Sequence, residues 1–248
     1  MGNYKMIEIQ NLTVSFEENI VLDDISCKIN KNFLTTIIGK SGTGKSVLMK
    51  TVLGLIKPIT GTIFIDTISV NEKNKNLLKE RKRKMAMLFQ SSALFDSMTV
   101  FQNVAFPLYE HKKLPFYEIK DKVIEVLNLV NLSEDILDLY PSDLSGGMRK
   151  RVALARAIIE EPEYLIYDEP TTGLDPVTAE EIIKLINRLH KKLAMTSIVI
   201  THDPECIKAI TQRLIMLDSG KIIFDDEFSK FVECEHRSAK SFYEHIYG

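Results

Sequence analysis

Short apolar runs recur in the second half of the chain, at residues 164–167, 197–200 and 213–217. Runs of this length, rich in Ile, Val, Leu and Tyr, are typical of buried strands in a mostly parallel sheet. Further strand candidates are residues 6–12, 62–65 and 84–90. The hydrophobic pattern therefore predicts a sheet assembled from both ends of the sequence.

Apolar residues spaced three to four positions apart predict helices between these strands. They are Ile119, Val123, Val126 and Val130; Met148, Val152, Ala155 and Ile159; and Ile182, Leu185, Ile186 and Leu189. Strands that alternate with helices indicate an α/β fold. We expect one domain with a core from residues 1–90 and 160–226 and a helical subdomain at 91–159.

Two segments lie outside this pattern. The basic cluster at residues 79–84 is interpreted as a solvated face. Residues 227–248 form a short aromatic tail, which the sequence places either on its own subunit or on a partner.

Composition narrows the class of protein. The 248 residues are 45% hydrophobic and 27% charged, with a net charge of −2. This charge opposes nucleic-acid binding, which usually requires a basic domain. Three cysteines without metal-like spacing are expected to be free thiols. No leader pattern and no membrane-spanning apolar run are found, so we expect a cytosolic chain or one held at a membrane by a partner.

A phosphate-binding loop is the strongest chemical signal. It consists of Gly39, Lys40, Ser41, Gly42, Thr43, Gly44, Lys45 and Ser46, followed by Val47. A β-branched run precedes it and a helical pattern follows, which is the context that G-x-x-x-x-G-K-[ST] requires. Backbone N–H groups there can cradle an anion. Lys45 would reach the β- and γ-phosphates, and the Ser46 hydroxyl would ligate Mg²⁺. The competing interpretation is a glycine-rich turn that binds nothing.

Two further motifs complement this loop. The apolar run at 164–167 ends in Asp168 and Glu169, which predicts a carboxylate for the Mg²⁺ site and a second one for an attacking water. Ser145, Gly146 and Gly147 open the helix that includes Met148, with Ser145 as a predicted N-cap. Because a helix start favours negative charge, this segment is a candidate second anion site. As a purely structural feature it is a capped amphipathic helix.

Together these motifs resemble those of the ATP-binding subunit of an ABC transporter, over about residues 7–225. Gln90 is similar to the Q-loop residue, Asp175 lies in a D-loop-like segment, His202 resembles the switch histidine, and Phe16 stands where an aromatic stacks on adenine. The resemblance implies a P-loop NTPase core with a mainly parallel sheet, N-terminal antiparallel strands and an inserted helical subdomain. It departs at Met148, where most relatives carry Gln, and at Phe16, where Tyr is commoner.

The resemblance also implies site roles. The loop backbone and Lys45 bind the phosphates of ATP, and Ser46, Gln90 and Asp168 hold Mg²⁺. Glu169 is the general base, and His202 senses the γ-phosphate. Two subunits form a head-to-tail homodimer around two ATP molecules, in which Ser145, Gly146 and Gly147 face the partner's phosphate loop. Asp175 is a further expected nucleotide-binding residue.

The segment at residues 88–108 is similar to the Mla-type, MCE-associated bacterial subgroup that traffics phospholipid. It predicts a permease docking surface near Gln90–Phe106, involving Leu94, Phe95, Met98 and Phe106, and an MCE-domain partner. The expected location is the cytoplasmic face of the inner membrane. The alternatives are a small-solute importer, for example for amino acids, or a soluble ABC protein that acts on DNA or ribosomes. A kinase or GTPase would leave the Ser145 segment and His202 unexplained.

Overall fold

In the computed structural model, residues 6–71, 73–111 and 114–247 are described. The strands are β1 Met6–Phe16, β2 Asn19–Asn30, β3 Leu34–Ile38, β4 Thr60–Ile65, β5 Ile68–Ser69, β6 Met85–Leu88, β7 Tyr164–Asp168, β8 Thr196–Ile200, β9 Arg213–Asp218 and β10 Lys221–Glu227. The helices are α1 Lys45–Val52, α2 Lys75–Arg83, α3 Val100–His111, α4 Phe116–Leu129, α5 Gly146–Ile158, α6 Pro176–Leu193, α7 Pro204–Ile210 and α8 Arg237–Tyr247.

The strands of these described ranges form two sheets. One has the order β2-β1-β4-β5 and is antiparallel. The other has the order β10-β9-β3-β8-β7-β6, in which β6 to β9 and β3 are parallel and β10 is an antiparallel edge strand. Helices α3, α4 and α5 lie between β6 and β7 in the chain. This arrangement confirms the expected fold class.

The central strands are buried on both faces, as the continuous apolar runs predicted. In β7, Leu165 and Tyr167 pack into a core shared with the helices, including Leu154 and Ile186. Tyr164 and Ile166 point to the opposite core, which the antiparallel sheet completes. Because strand side chains alternate between faces, one short strand contributes to both cores. The predicted apolar face of α6 is confirmed, since Ile182, Leu185, Ile186 and Leu189 are buried.

The interpretation of residues 79–84 as a solvated face is wrong in part. Arg81 is buried, and Lys84 forms an ion pair with Asp66 at 2.7 Å. Asp66 also accepts a hydrogen bond of 2.5 Å from the Tyr164 hydroxyl. Burial, together with Asp66, raises the pKa of Tyr164 and keeps it a donor. These contacts connect the turn after β4 to β7 across the two sheets, which a charge run cannot reveal.

The C-terminal tail packs on its own subunit. Phe231, Ala239 and Ile246 are buried in a cluster with Ile38 and Met216 at the end of the parallel sheet. The Ser238 hydroxyl donates a 2.6 Å hydrogen bond to Asp218 Oδ2. This anchoring holds α8 beside α7, the helix that begins directly after His202 and Asp203.

Candidate functional site

The strand, loop and helix predicted around the phosphate loop are confirmed as β3, residues 39–44 and α1. Two glycines are required by close contacts as well as by their positive φ angles. A Cβ on Gly39 would lie 2.3 Å from the Leu217 carbonyl O, and one on Gly44 would lie 2.7 Å from the Leu22 side chain. Gly44 also provides the left-handed residue at which α1 starts. The loop therefore lies tightly between β2, β9 and α1, with its backbone at the start of a helix.

Lys45 and Ser46 follow at the first turn of α1. The Lys45 Nζ donates hydrogen bonds to the carbonyl oxygens of Gly39 at 2.8 Å and Lys40 at 2.9 Å. Burial lowers the pKa of Lys45, and the nearby carboxylates of Glu169 and Asp168 act in the opposite direction. The Lys45 ammonium thus lies inside the loop, where we expect it to contact the phosphates of a nucleotide.

Asp168 ends β7 opposite Ser46. The Ser46 hydroxyl donates a hydrogen bond of 3.3 Å to Asp168 Oδ1, across 122 positions in the sequence. Burial raises the pKa of Asp168, while the hydrogen bond from Ser46 lowers it. A hydroxyl oxygen and a carboxylate oxygen at this separation are the hard donors that Mg²⁺ prefers, so the two residues fit that ion.

Glu169 and His202 are brought together by neighbouring strands. The Glu169 backbone N–H donates to the Ile200 carbonyl O at 2.9 Å, which aligns the ends of β7 and β8. Glu169 Oε1 lies 2.8 Å from His202 Nδ1, and Oε2 accepts a hydrogen bond from the Thr172 hydroxyl at 3.3 Å. Glu169 has a positive φ of 48°, an uncommon conformation for a residue with a side chain. His202 is 67% exposed, so its ring also faces the open side of the site.

A cleft of about 550 Å³ joins the phosphate-binding loop to Glu169 and His202, while Asp168 lies outside its lining. Its lining includes, from the expected set, Gly39, Lys40, Ser41, Gly42, Gly44, Lys45, Ser46, Val47, Gln90, Glu169 and His202. Thr43 is outside this lining, and its hydroxyl donates a hydrogen bond within the loop to the Lys40 carbonyl O at 2.8 Å. Phe16 ends β1 with 48% of its surface exposed and is outside this lining.

Sequence reasoning missed two residues of the cleft, Val21 and Phe242. Val21 lies in β2, which the strand pattern overlooked. Phe242 comes from α8, and its aromatic neighbours in the tail were the available signal. Only the packing of α8 against the sheet end places this side chain near the phosphate loop.

The Ser145 segment and Asp175 lie on a separate surface, outside the lining of this cleft. Ser145 is the N-cap of α5, as predicted, and its hydroxyl accepts a 3.2 Å hydrogen bond from the Met148 N–H. A Cβ on Gly147 would lie 2.5 Å from the Thr178 methyl group. Asp175 caps α6 by accepting hydrogen bonds from the Val177 and Thr178 N–H groups at 3.1 and 3.0 Å. Hydrogen bonds from Thr178 lower the pKa of Asp175. The structure thus joins the Ser145 segment and Asp175 into one patch, at the touching starts of two helices.

A second cleft, of about 650 Å³, lies beside the helical subdomain. Phe95 and Phe106 line it, with their ring centroids 5.0 Å apart, and the Arg156 guanidinium lies 5.6 Å from the Phe95 ring centroid. His111 Nδ1 lies 2.8 Å from Glu160 Oε2 at its rim. Of the other expected docking residues, Leu94 packs against the core and Met98 is outside the lining.

These features define the ATP-binding protein class of the ABC transporters. A family model for the ABC transporter matches residues 22–172, and the chain belongs to that family. Among the helices of residues 6–71, 73–111 and 114–247, none is long and apolar enough to cross a bilayer.

Curated relatives fall into two transport systems. The methionine import ATP-binding protein MetN of Lactobacillus johnsonii is 39% identical over 222 residues, which cover 88% of this chain and 63% of the relative. The intermembrane phospholipid transport system ATP-binding protein MlaF of Haemophilus influenzae is 37% identical over 233 residues, covering 94% and 88%. The chain thus spans just under two thirds of the length of the methionine-import relatives it matches.

Solved structures with the same fold include the dimeric bacterial ABC transporter cassette MJ0796. It has a TM-score of 0.81 and 30% identity, covering 90% of this chain and 98% of that one. A further structure of MJ0796 is a post-hydrolysis dimer bound to ADP and Pi, with a TM-score of 0.80. The cbiO1 protein of Clostridium perfringens, part of the cbiONQ transporter complex, has a TM-score of 0.81 and 30% identity over 94% of this chain and 92% of its own.

Proposed function

We propose that the chain binds and hydrolyses ATP as the nucleotide-binding subunit of an ABC transporter. The observation that carries this proposal is one cleft in which Lys45, Glu169 and His202 face a phosphate-binding loop. The N–H groups of residues 42–46 bind the phosphates, and Lys45 neutralises their charge. Glu169 is the base that accepts a proton from the attacking water. His202 orients Glu169 and contacts the γ-phosphate. Phe16, exposed at the end of β1, stacks on the adenine.

Ser46, Asp168 and the side chain of Gln90 would hold Mg²⁺ with the nucleotide. The separation of 3.3 Å between Ser46 Oγ and Asp168 Oδ1 supports this assignment. When bound, the ion neutralises charge on the β- and γ-phosphates. Asp168 is held by the end of β7 and by burial, so its carboxylate does not need to be ordered when the ion arrives.

The active form is proposed to be a homodimer. Ser145, Gly146, Gly147 and Asp175 form a patch away from the subunit's own cleft, and in a two-fold dimer this patch can complete the partner's site. The MJ0796 cassette, similar in fold over 90% of this chain, is dimeric, which supports a dimer for this chain as well.

We expect the rate of ATP hydrolysis per subunit to fall as the protein is diluted below its dimer dissociation constant, because each site lacks its second half in a monomer. The measurement is MgATP turnover over a dilution series, with analytical ultracentrifugation at the same concentrations. Full activity per subunit in a sample with no detectable dimer would refute the shared site.

The cleft beside α3 is proposed to receive a cytoplasmic segment of a membrane permease, which would hold the chain at the inner face of the membrane. We expect Phe95→Asp to abolish copurification with the permease, since it replaces an exposed aromatic ring of the cleft lining with a charge. ATP binding by the isolated subunit should be unchanged. Phe116→Asp is the matched control, because Phe116 is 64% exposed and lies outside this lining. Copurification of the Phe95 variant at wild-type yield would exclude the cleft as the docking site.

For the substrate, we propose phospholipid, with an MCE-domain protein as an accessory partner. The similarity of residues 88–108 to the Mla-type subgroup supports phospholipid as the substrate, and so does the 37% sequence identity with MlaF. Methionine-import relatives at 39–40% identity favour a second candidate, amino-acid import. Purification of the native membrane complex with lipid analysis discriminates between them. Bound phospholipid and an MCE protein support the first, and a periplasmic amino-acid receptor supports the second.

A further inference from the structure

A buried lysine connects the helix of the Ser145 segment to the Gln90 loop. Lys150 lies in α5, and its Nζ donates a hydrogen bond to the Gln90 carbonyl O. Lys150 is only 4% exposed, so water competes little for this contact. Burial lowers the pKa of Lys150, while the nearby carboxylates of Asp168 and Glu169 raise it. The Lys150 ammonium therefore connects α5 to the Gln90 loop, close to the carboxylates of Asp168 and Glu169.

Lys150 lies on the same helix as the Ser145 segment. Ser145 caps the helix, and Lys150 follows five residues later, about 7.5 Å along the helix axis. Val152, Leu154 and Ala155 anchor the same helix in the core. One rigid element thus presents the Ser145 segment at its start and holds the Gln90 backbone about 1.4 turns further on. Gln90 itself lines the subunit's own cleft.

We propose that Lys150 is a positioning residue that couples the two nucleotide sites of the dimer. When the start of α5 engages the partner's nucleotide, the displacement of the helix reaches Gln90 through the Lys150 hydrogen bond. Hydrolysis in one site therefore depends on whether the other site is occupied. This inference rests on the proposed function and adds a residue through which the two sites communicate.

The test replaces Lys150 with Met, which keeps most of the length of the side chain but removes its charge and donors. We expect kcat for ATP to fall at least about ten-fold, since a hydrogen bond from a charged group is lost. The Hill coefficient for ATP should fall from above one to one. The Kd for ATP of the monomer, measured by titration at high dilution, should stay within about three-fold of the wild-type value, because Lys150 is not in the cleft lining.

Two variants separate positioning from folding. Lys150→Arg keeps the charge and a donor, and it should restore most of kcat and the cooperativity. Arg151→Met removes the adjacent charge on α5, whose guanidinium instead pairs with Glu181 at 2.6 Å, and it should keep the wild-type Hill coefficient.

Unchanged kcat and Hill coefficient in Lys150→Met would overturn the inference, as would a wild-type Hill coefficient of one. A fall in kcat with a lowered Tm, which Lys150→Arg fails to rescue, would show a purely structural role and also overturn it. The proposed function fails separately, if the wild-type chain does not hydrolyse MgATP at all.

Discussion

Glu169→Gln is expected to bind ATP with near wild-type affinity and to hydrolyse it at least about 10²-fold more slowly. The substitution keeps the size of the side chain and its contact with His202 Nδ1, which lies 2.8 Å from Oε1. It removes the carboxylate that accepts the proton of the attacking water. The measurement pairs steady-state phosphate release with an equilibrium ATP titration.

The matched control is Glu205→Gln, because Glu205 is an exposed carboxylate at the start of α7 that pairs with Lys208. It should leave both the turnover and the affinity unchanged. Near-normal turnover by Glu169→Gln would remove Glu169 from the role of base. A loss of ATP binding would instead mean that the carboxylate acts mainly by positioning the nucleotide.

Lys45→Ala is expected to weaken ATP binding itself, by about ten- to a hundred-fold. The carbonyl oxygens of Gly39 and Lys40 hold the Lys45 ammonium inside the loop, where it can contact the phosphates of ATP. A hydrogen bond to a charged group contributes about 1.5–3 kcal/mol, and its loss weakens binding by about ten- to a hundred-fold. Ligand binding stabilises the folded state by about 2.7 kcal/mol at a hundred times Kd. ATP should therefore raise the Tm of the wild-type chain clearly and that of Lys45→Ala little.

Removing Lys45 also removes a buried charge, so the unliganded Tm of the variant is recorded first. Lys57→Ala is the control, since Lys57 lies beyond the end of α1 and outside the cleft lining. It should keep the full ATP-induced shift. The same shift and the same Kd in Lys45→Ala would contradict the assignment of this lysine to the phosphates.

The local motifs were predictable because their chemistry is local. The loop at residues 39–46 needs glycines and a helix start within a few positions, and the structure has both. The Ser145 cap and the apolar face of α6 also follow from neighbours along the chain. Strand β2 was missed because its buried residues Ile25, Cys27 and Ile29 alternate with exposed polar ones, and a prediction based on continuous apolar runs does not detect such a half-buried strand.

Other features depend on residues that are distant in sequence. Arg81 and Lys84 looked like part of a solvated basic run, but Arg81 is buried and Lys84 pairs with Asp66, which lies 18 positions earlier. Phe242 reaches the cleft because α8 packs against the end of the sheet. Lys150 lies five residues after the predicted cap Ser145, yet its partner Gln90 is 60 positions earlier.

The sequence by itself determined the α/β class, the phosphate loop and the order of the motifs, because each depends on backbone geometry over a few residues. The tertiary structure decided which of these groups meet. Sheet order brings Asp168 to Ser46 and Glu169 to His202, and the contact between the starts of α5 and α6 makes one patch of Gly147 and Asp175. The physical reason is that such distances are set by strand pairing and core packing, to which the intervening sequence contributes no local signal.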